Sequence, residues 1–171
     1  ALDATLVDGV PSALNAGMAD GSLDLSVVSA VEYASRAERY HLLPDLAISC
    51  DGPVRSVMLF SRVPVAELDG ATVLLTRSSM TSVALLELLF ENVWDAKPAF
   101  VPADAELTDV SGFAADDHDA RLVIGDAALL LGTTLQEQSG RNRLLDQLGY
   151  RYAYDLGAEW KRWTDLPFVF A

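Results

Sequence analysis

Cysteine is almost missing from this chain: Cys50 stands alone among 171 residues, so no internal disulfide can form. With only His41 and His118 beside it, no structural zinc site is expected and no metal is assigned. Basic residues are scarce as well, 12 against 25 acidic ones, for a formal charge of −13 with no basic stripe. Nucleic acid and anionic membrane surfaces are therefore not expected partners. A small anionic substrate is still allowed, because charges are screened over about 8 Å at physiological salt and a partly closed cleft responds to its own dipoles. No apolar run approaches the roughly 20 residues that cross a bilayer, and the opening ALDAT has neither the basic start nor the apolar core of a signal peptide. A cytoplasmic location is the expectation. Gly-x-Ser-x-Gly, the P-loop and Gly-x-Gly-x-x-Gly are all missing, which disfavours a serine hydrolase or a nucleotide enzyme.

What is present is apolar residue in quantity, 51% of the chain, enough for one sizeable domain or two small lobes. The stretch 71–90, ATVLLTRSSMTSVALLELLF, organises the rest. The apolar run at 72–76 predicts a strand, RSSMTS a short connection, and VALLELLF a helix with apolar residues at helical spacing. The first N–H groups of such a helix lack intrahelical partners, so with the hydroxyls of Thr81 and Ser82 they suit a carboxylate or phosphate. Taken alone, Thr81 or Ser82 reads as an ordinary N-cap.

Two further stretches repeat the device. Residues 23–29, LDLSVVS, predict a short strand ending in Ser29 before a helix over 30–37. Residues 120–125, ARLVIG, predict a strand running into Asp126 and another helix. Ahead of the first unit, GVPSALNAGMADG reads as a helix opened by Pro11 and closed by Gly21. Asp51-Gly52-Pro53 marks a turn, and 54–61 a strand with Arg55 and Ser56 at its beginning. Alternating strands and helices with short links imply an α/β architecture with largely parallel strands, whose ligands bind beyond the strands' carboxyl ends. Ser29, Thr81, Ser82 and Asp126 fall at such positions, and Ser56 lies at a turn that can face them. Small polar groups converging from separate segments describe a pocket for a polyoxygenated small molecule.

Other polar residues receive structural readings. His118, among three aspartates, reads as surface, so that His118→Ala would be silent; the acidic stretch 104–119 reads as a solvated loop or weak helix. His41 reads as packing at a rim or core, Cys50 as an inert small apolar residue, and Trp160 with Trp163 as one packing face of a helix. Arg141 and Arg143 read as an exposed helical face, and Asp126 by default as an N-cap that could serve as a general base.

The strings GSLDLSVVSAVEYA, PDLAISCDGPVRSVMLFSR, LDGATVLLTRSSMTSVALLELL, ARLVIGDAAL and YDLGAEWKRWTDLPFVFA together resemble the chorismate dehydratases of futalosine-pathway menaquinone biosynthesis. The resemblance runs over nearly the whole chain. It implies a two-lobed α/β fold like the type II periplasmic binding proteins, with a cleft between lobes. Residues 1–65 and 155–171 would form a discontinuous first lobe, lacking the family's N-terminal strand and C-terminal helices, and 66–154 the second. The implied reaction is dehydration of chorismate to 3-[(1-carboxyvinyl)oxy]benzoate by a cytoplasmic hydro-lyase, without metal or organic cofactor. Ser56 matches the family's substrate-contacting serine and is the expected catalytic residue. By motif position, Thr81 and Ser82 would receive a substrate carboxylate while Ser29 and Asp126 line the cleft. The base is left open, one candidate being a carboxylate of the substrate. The family's asparagine from a Leu-Asn segment has no counterpart ahead of Ala1. Two alternatives are a sister enzyme making 1,4-dihydroxy-6-naphthoate, disfavoured because neither histidine sits in a matching motif, and a non-catalytic carboxylate-binding module.

Overall fold

A computed structural model of the chain describes residues 3–103, 117–136, 145 and 148–171. Its centre is β2 (Val57–Ser61), buried at every position, as expected of an apolar run covered on both faces. β2 pairs antiparallel with β5 (Ala120–Ile124) from Val57↔Ile124 to Ser61↔Ala120, and antiparallel with β6 (Tyr152–Asp155) from Met58↔Asp155 to Ser61↔Tyr152. β3 (Thr72–Thr76) lies parallel to β5 and to β4 (Ala99–Ala103), which completes a five-stranded sheet of order β4-β3-β5-β2-β6. Four strands thus point one way and β2 alone runs against them. The largely parallel sheet expected from the sequence is instead mixed. The physical reason lies in the link 62–71, which holds one 3₁₀ turn at Val65–Glu67 and no helix, too little for the crossover that would return the chain to start a parallel strand.

Alternate residues of the strands feed two cores, following the period of two. Val57, Leu59, Val73, Leu75 and Leu122 pack on one face with Leu85, Leu86 and Leu89 of α3 (Met80–Leu89) and Leu156 of α5 (Leu156–Thr164). Met58, Phe60 and Val123 pack on the other with Ala128 and Leu131 of α4 (Gly125–Gln136) and with Leu145, Leu148 and Tyr150. Each fully buried leucine of these clusters contributes roughly 1.5–3 kcal/mol relative to exposure.

The remaining elements are α1 (Pro11–Asp20), α2 (Ala30–Ser35) and a two-stranded antiparallel pair, β1 (Ser49–Cys50) with β7 (Phe168–Val169). Pro11 opens α1 and Gly21, at φ 81°, closes it in the left-handed region that glycine adopts without strain. The strand expected over 23–29 is not formed. Leu25 and Val27 are 72% and 58% exposed, and among the described residues no strand pairs with the segment, so its backbone gains no ladder. Residues 104–116, read as a solvated stretch, and Arg141 and Arg143, read as an exposed helical face, lie outside the described residues.

Candidate functional site

The sheet's direction decides which residues can meet. β3 and β5 end at Thr76 and Ile124, and because β2 is reversed its start, not its end, lies at that edge. The Gly125 amide donates to the Ser56 carbonyl at 2.8 Å, so Ser56 sits against the turn that leads to Asp126 and α4. Asp155, the last residue of β6, pairs with Met58 and reaches the same edge. Ser56, Asp126 and the loop that opens α3 therefore share the carboxyl edge of the sheet, as the sequence predicts.

Ser56 is half-buried, and among the described residues its hydroxyl makes no hydrogen bond. The loop before it is held firmly. Asp155 Oδ1 accepts from the Val54 amide at 3.0 Å and from Ala158 at 3.0 Å, and Oδ2 accepts from the Arg55 amide at 2.7 Å. Arg55 lies at φ 64°, a left-handed backbone that a non-glycine residue adopts only when its surroundings impose it. Gly157 allows the close approach: a Cβ there would meet the Gly52 carbonyl oxygen at 2.7 Å and Val54 atoms at 3.1 Å. The DGPV and DLG-x-EW strings are thus two halves of one contact, though a hundred residues apart. Asp155 and Gly157 carry no role in the sequence reading beyond that string, and their only sequence signal was its specificity.

At α3 the structure redistributes the polar roles. Ser79, not Thr81 or Ser82, is the N-cap: its Oγ accepts from the Ser82 amide at 3.2 Å and lies 2.8 Å from Ser82 Oγ. Ser82 is buried and already engaged through both groups. Thr81 is 5% exposed, and its Oγ1 is buried without a hydrogen-bond partner among the described residues. A buried hydroxyl left unpaired costs about 1–3 kcal/mol, so such a group calls for a partner that binds there.

Ser29 caps α2, accepting from the Glu32 amide at 3.2 Å, but it is also locked to a residue that sequence reading passed over. Asn15 of α1, 2% exposed, donates through Nδ2 to Ser29 Oγ at 2.8 Å and accepts from the Ser29 amide at 3.0 Å. The same Nδ2 lies 3.6 Å from Met80 Sδ, which places the Asn15–Ser29 pair against the start of α3. Ser29 and Thr81 are brought to one neighbourhood, with Ser29 committed to structural bonds. Asp126 is exposed in the first turn of α4 and makes no hydrogen bond among the described residues, so its carboxylate is not the cap the default reading assigns.

The thiol of Cys50 is pushed up from its ordinary range by burial first and by the Asp155 and Asp51 carboxylates next, which keeps it protonated and unreactive, as expected. Trp160 and Trp163 pack edge to face at 5.7 Å, and Trp160 Nε1 donates to the Pro167 carbonyl at 3.2 Å, again a packing role. His41 is exposed rather than packed. His118 is the clearest correction. It is 2% exposed, and its Nε2 lies 2.5 Å from the Tyr150 hydroxyl. Asp119 is the cause: its Oδ2 and its amide bond the Thr72 amide and carbonyl at 2.8 and 2.9 Å, and its carbonyl accepts from Arg62, which pulls His118 into the sheet's edge.

Fold and edge together define an α/β protein that presents a half-buried serine hydroxyl, an exposed carboxylate and a buried threonine hydroxyl at strand ends and helix starts. Over residues 1–171 the chain matches the family model described as menaquinone biosynthesis, and it belongs to that family. It is 34% identical over 168 residues to the chorismate dehydratase of Thermus thermophilus, an alignment covering 97% of this chain. The chain spans 59% of the length of that curated relative.

Proposed function

We propose that this chain carries the substrate-contacting edge of a chorismate dehydratase, a cytoplasmic hydro-lyase that converts chorismate to 3-[(1-carboxyvinyl)oxy]benzoate and water. The observation that carries the reading is Ser56: a half-buried hydroxyl, unbonded among the described residues, on a loop fastened by two backbone bonds to Asp155, in a member of a menaquinone biosynthesis family. In this reading the five-stranded sheet is the body of one lobe, built on 66–154 and joined by β2. The remainder of residues 1–65 and 155–171, outside β2 and β6 and including the β1–β7 pair, belongs to the other. The ligand lies between them.

The chemistry asks little of the residues. Chorismate loses the proton on the ring carbon that bears the ether and the hydroxyl on the neighbouring carbon, and the ring becomes aromatic. No electrons are exchanged with a second reactant, so no redox group has to take part. Aromatisation supplies the driving force, leaving alignment of the dicarboxylate and its leaving hydroxyl as the main task. Ser56 donates to the substrate, Thr81 Oγ1 gains in a carboxylate the acceptor that no described residue gives it, and Ser82 and Ser29 shape the wall beside it. Asp126 lines the opposite side. The proton passes to one of the substrate's own carboxylates.

The test is incubation of the natural protein with chorismate, following chorismate loss and product formation by chromatography. Product without added cofactor is the expected result. Chorismate bound but unchanged would leave a carboxylate-binding protein, and no binding at all would point to the sister naphthoate-forming reaction. In the same assay Ser56→Ala is expected to lower turnover by about 10- to 100-fold, the worth of one hydrogen bond to a charged or charge-developing group, with an unchanged circular dichroism spectrum. Wild-type kinetics in that variant would remove Ser56 from the site.

A further inference from the structure

We infer that Asp155 is a positioning residue for Ser56, acting through the backbone of Val54 and Arg55; this rests on the reading of Ser56 as the substrate-contacting residue. A helix cap alone explains one of its bonds, the one from Ala158 at 3.0 Å. The other two come from amides roughly a hundred residues earlier in the chain, Val54 at 3.0 Å and Arg55 at 2.7 Å. Those two bonds hold Arg55 at φ 64°, and the turn is tightened by the Ser56 amide donating to the Val54 carbonyl at 2.8 Å. On its other side Ser56 is pinned by the Gly125 amide. The serine hydroxyl, which has no side-chain partner among the described residues, therefore takes its place from backbone bonds at Val54 and Arg55 and at its own carbonyl, and one of the two anchors is the Asp155 carboxylate. Gly157 completes the device by leaving room for the Gly52 carbonyl. β6 and α5 thus set the geometry of a loop that belongs to a different part of the chain.

The carboxylate is needed because both oxygens accept. Asparagine keeps the cap and the Val54 bond through its one oxygen, as it is an N-cap residue of equal rank, but turns an NH₂ group toward the Arg55 amide. Two donors then face each other at a separation where a bond stood. Asp155→Asn separates the cap from the clamp.

The experiment compares Asp155→Asn, Ser56→Ala and the double variant in the natural protein, by chorismate turnover, thermal melting and amide hydrogen exchange at Val54 and Arg55. Expected for Asp155→Asn are a kcat loss of about 10-fold or more but no larger than that of Ser56→Ala, since misplacing the hydroxyl costs at most its removal, and little change in melting temperature. The two amides are expected to exchange at least about 10-fold faster. In the Ser56→Ala background the same substitution is expected to change kcat by about 2-fold or less, because the residue it acts through is gone. Losses that multiply, or unchanged exchange at Val54 and Arg55, would overturn the inference while leaving the dehydratase reading intact. If wild type fails to turn over chorismate, the functional reading falls instead. The exchange rates then decide the clamp: faster exchange in Asp155→Asn upholds it and unchanged exchange overturns it.

Discussion

An alanine at position 157 would bring its Cβ within 2.7 Å of the Gly52 carbonyl oxygen, a backbone atom that cannot swing aside. Gly157→Ala is expected to destabilise by about 1–3 kcal/mol, the range for overpacking, and to displace the loop that carries Ser56. Urea unfolding measures the first effect and chorismate turnover the second; an unchanged midpoint would show that the loop has room to move. The same scale reverses the expectation for His118. The charges flanking it argued for solvent, yet successive side chains of an extended segment point to opposite sides, so charged neighbours do not carry His118 into solvent with them, and Asp119 spends its carboxylate on the Thr72 amide. His118→Ala takes away one partner of the buried Tyr150 hydroxyl and is expected to cost about 1–3 kcal/mol rather than nothing, as read by denaturant unfolding.

Among elements, the strand, polar residue, helix device was legible in the sequence at two of its three places. β3 into α3 and β5 into α4 form as read, because long apolar runs gain a ladder on both sides and a helix to cover them. The run at 23–29 has the same pattern but no pairing strand among the described residues, so periodicity without a partner produced no strand. Its helix α2 forms all the same, since Ser29 caps it locally and Asn15 fixes Ser29 from α1. Asn15→Ala leaves the Ser29 amide and hydroxyl short of partners across that junction. A loss of about 1–3 kcal/mol is expected, together with faster amide exchange at the start of α2 and no change in the β3–β5 amides. Uniform loss of protection across both regions would mean that α1 and α2 unfold only with the sheet. The choice of cap at α3 was not legible: Ser79, Thr81 and Ser82 are all good capping types, and only the backbone path decides which has extended geometry before the first turn.

For the molecule as a whole, stability at high pH tracks the buried Tyr150. Burial pushes its hydroxyl from 10.0 up to about 12, with the nearby Arg121 and Arg62 charges pulling the other way. The unfolded chain therefore begins to lose this proton near pH 10 while the folded protein keeps it until about 12. Stability from this group is complete below pH 10 and falls as pH rises through that window, by about 2–3 kcal/mol. Tyr150→Phe is expected to be less stable at pH 7, for want of the His118 bond, and to flatten the decline between pH 10 and 12 in a series of urea midpoints. An equally steep decline in the variant would assign it to other groups.

By itself the sequence determined the family, the α/β class, and the strand and helix at 72–89. These follow from local pattern: apolar period, turn residues and short strings whose composition is set by what lies within a few residues. Only the tertiary structure decided that β2 runs against its neighbours, that Asp155 and Gly157 hold the Ser56 loop, that Asn15 occupies Ser29, and that His118 is buried. Each of these depends on a partner distant in the chain, which residue-by-residue pattern cannot specify. A hydrogen bond or a close approach belongs to two positions at once, and folding alone brings them within reach.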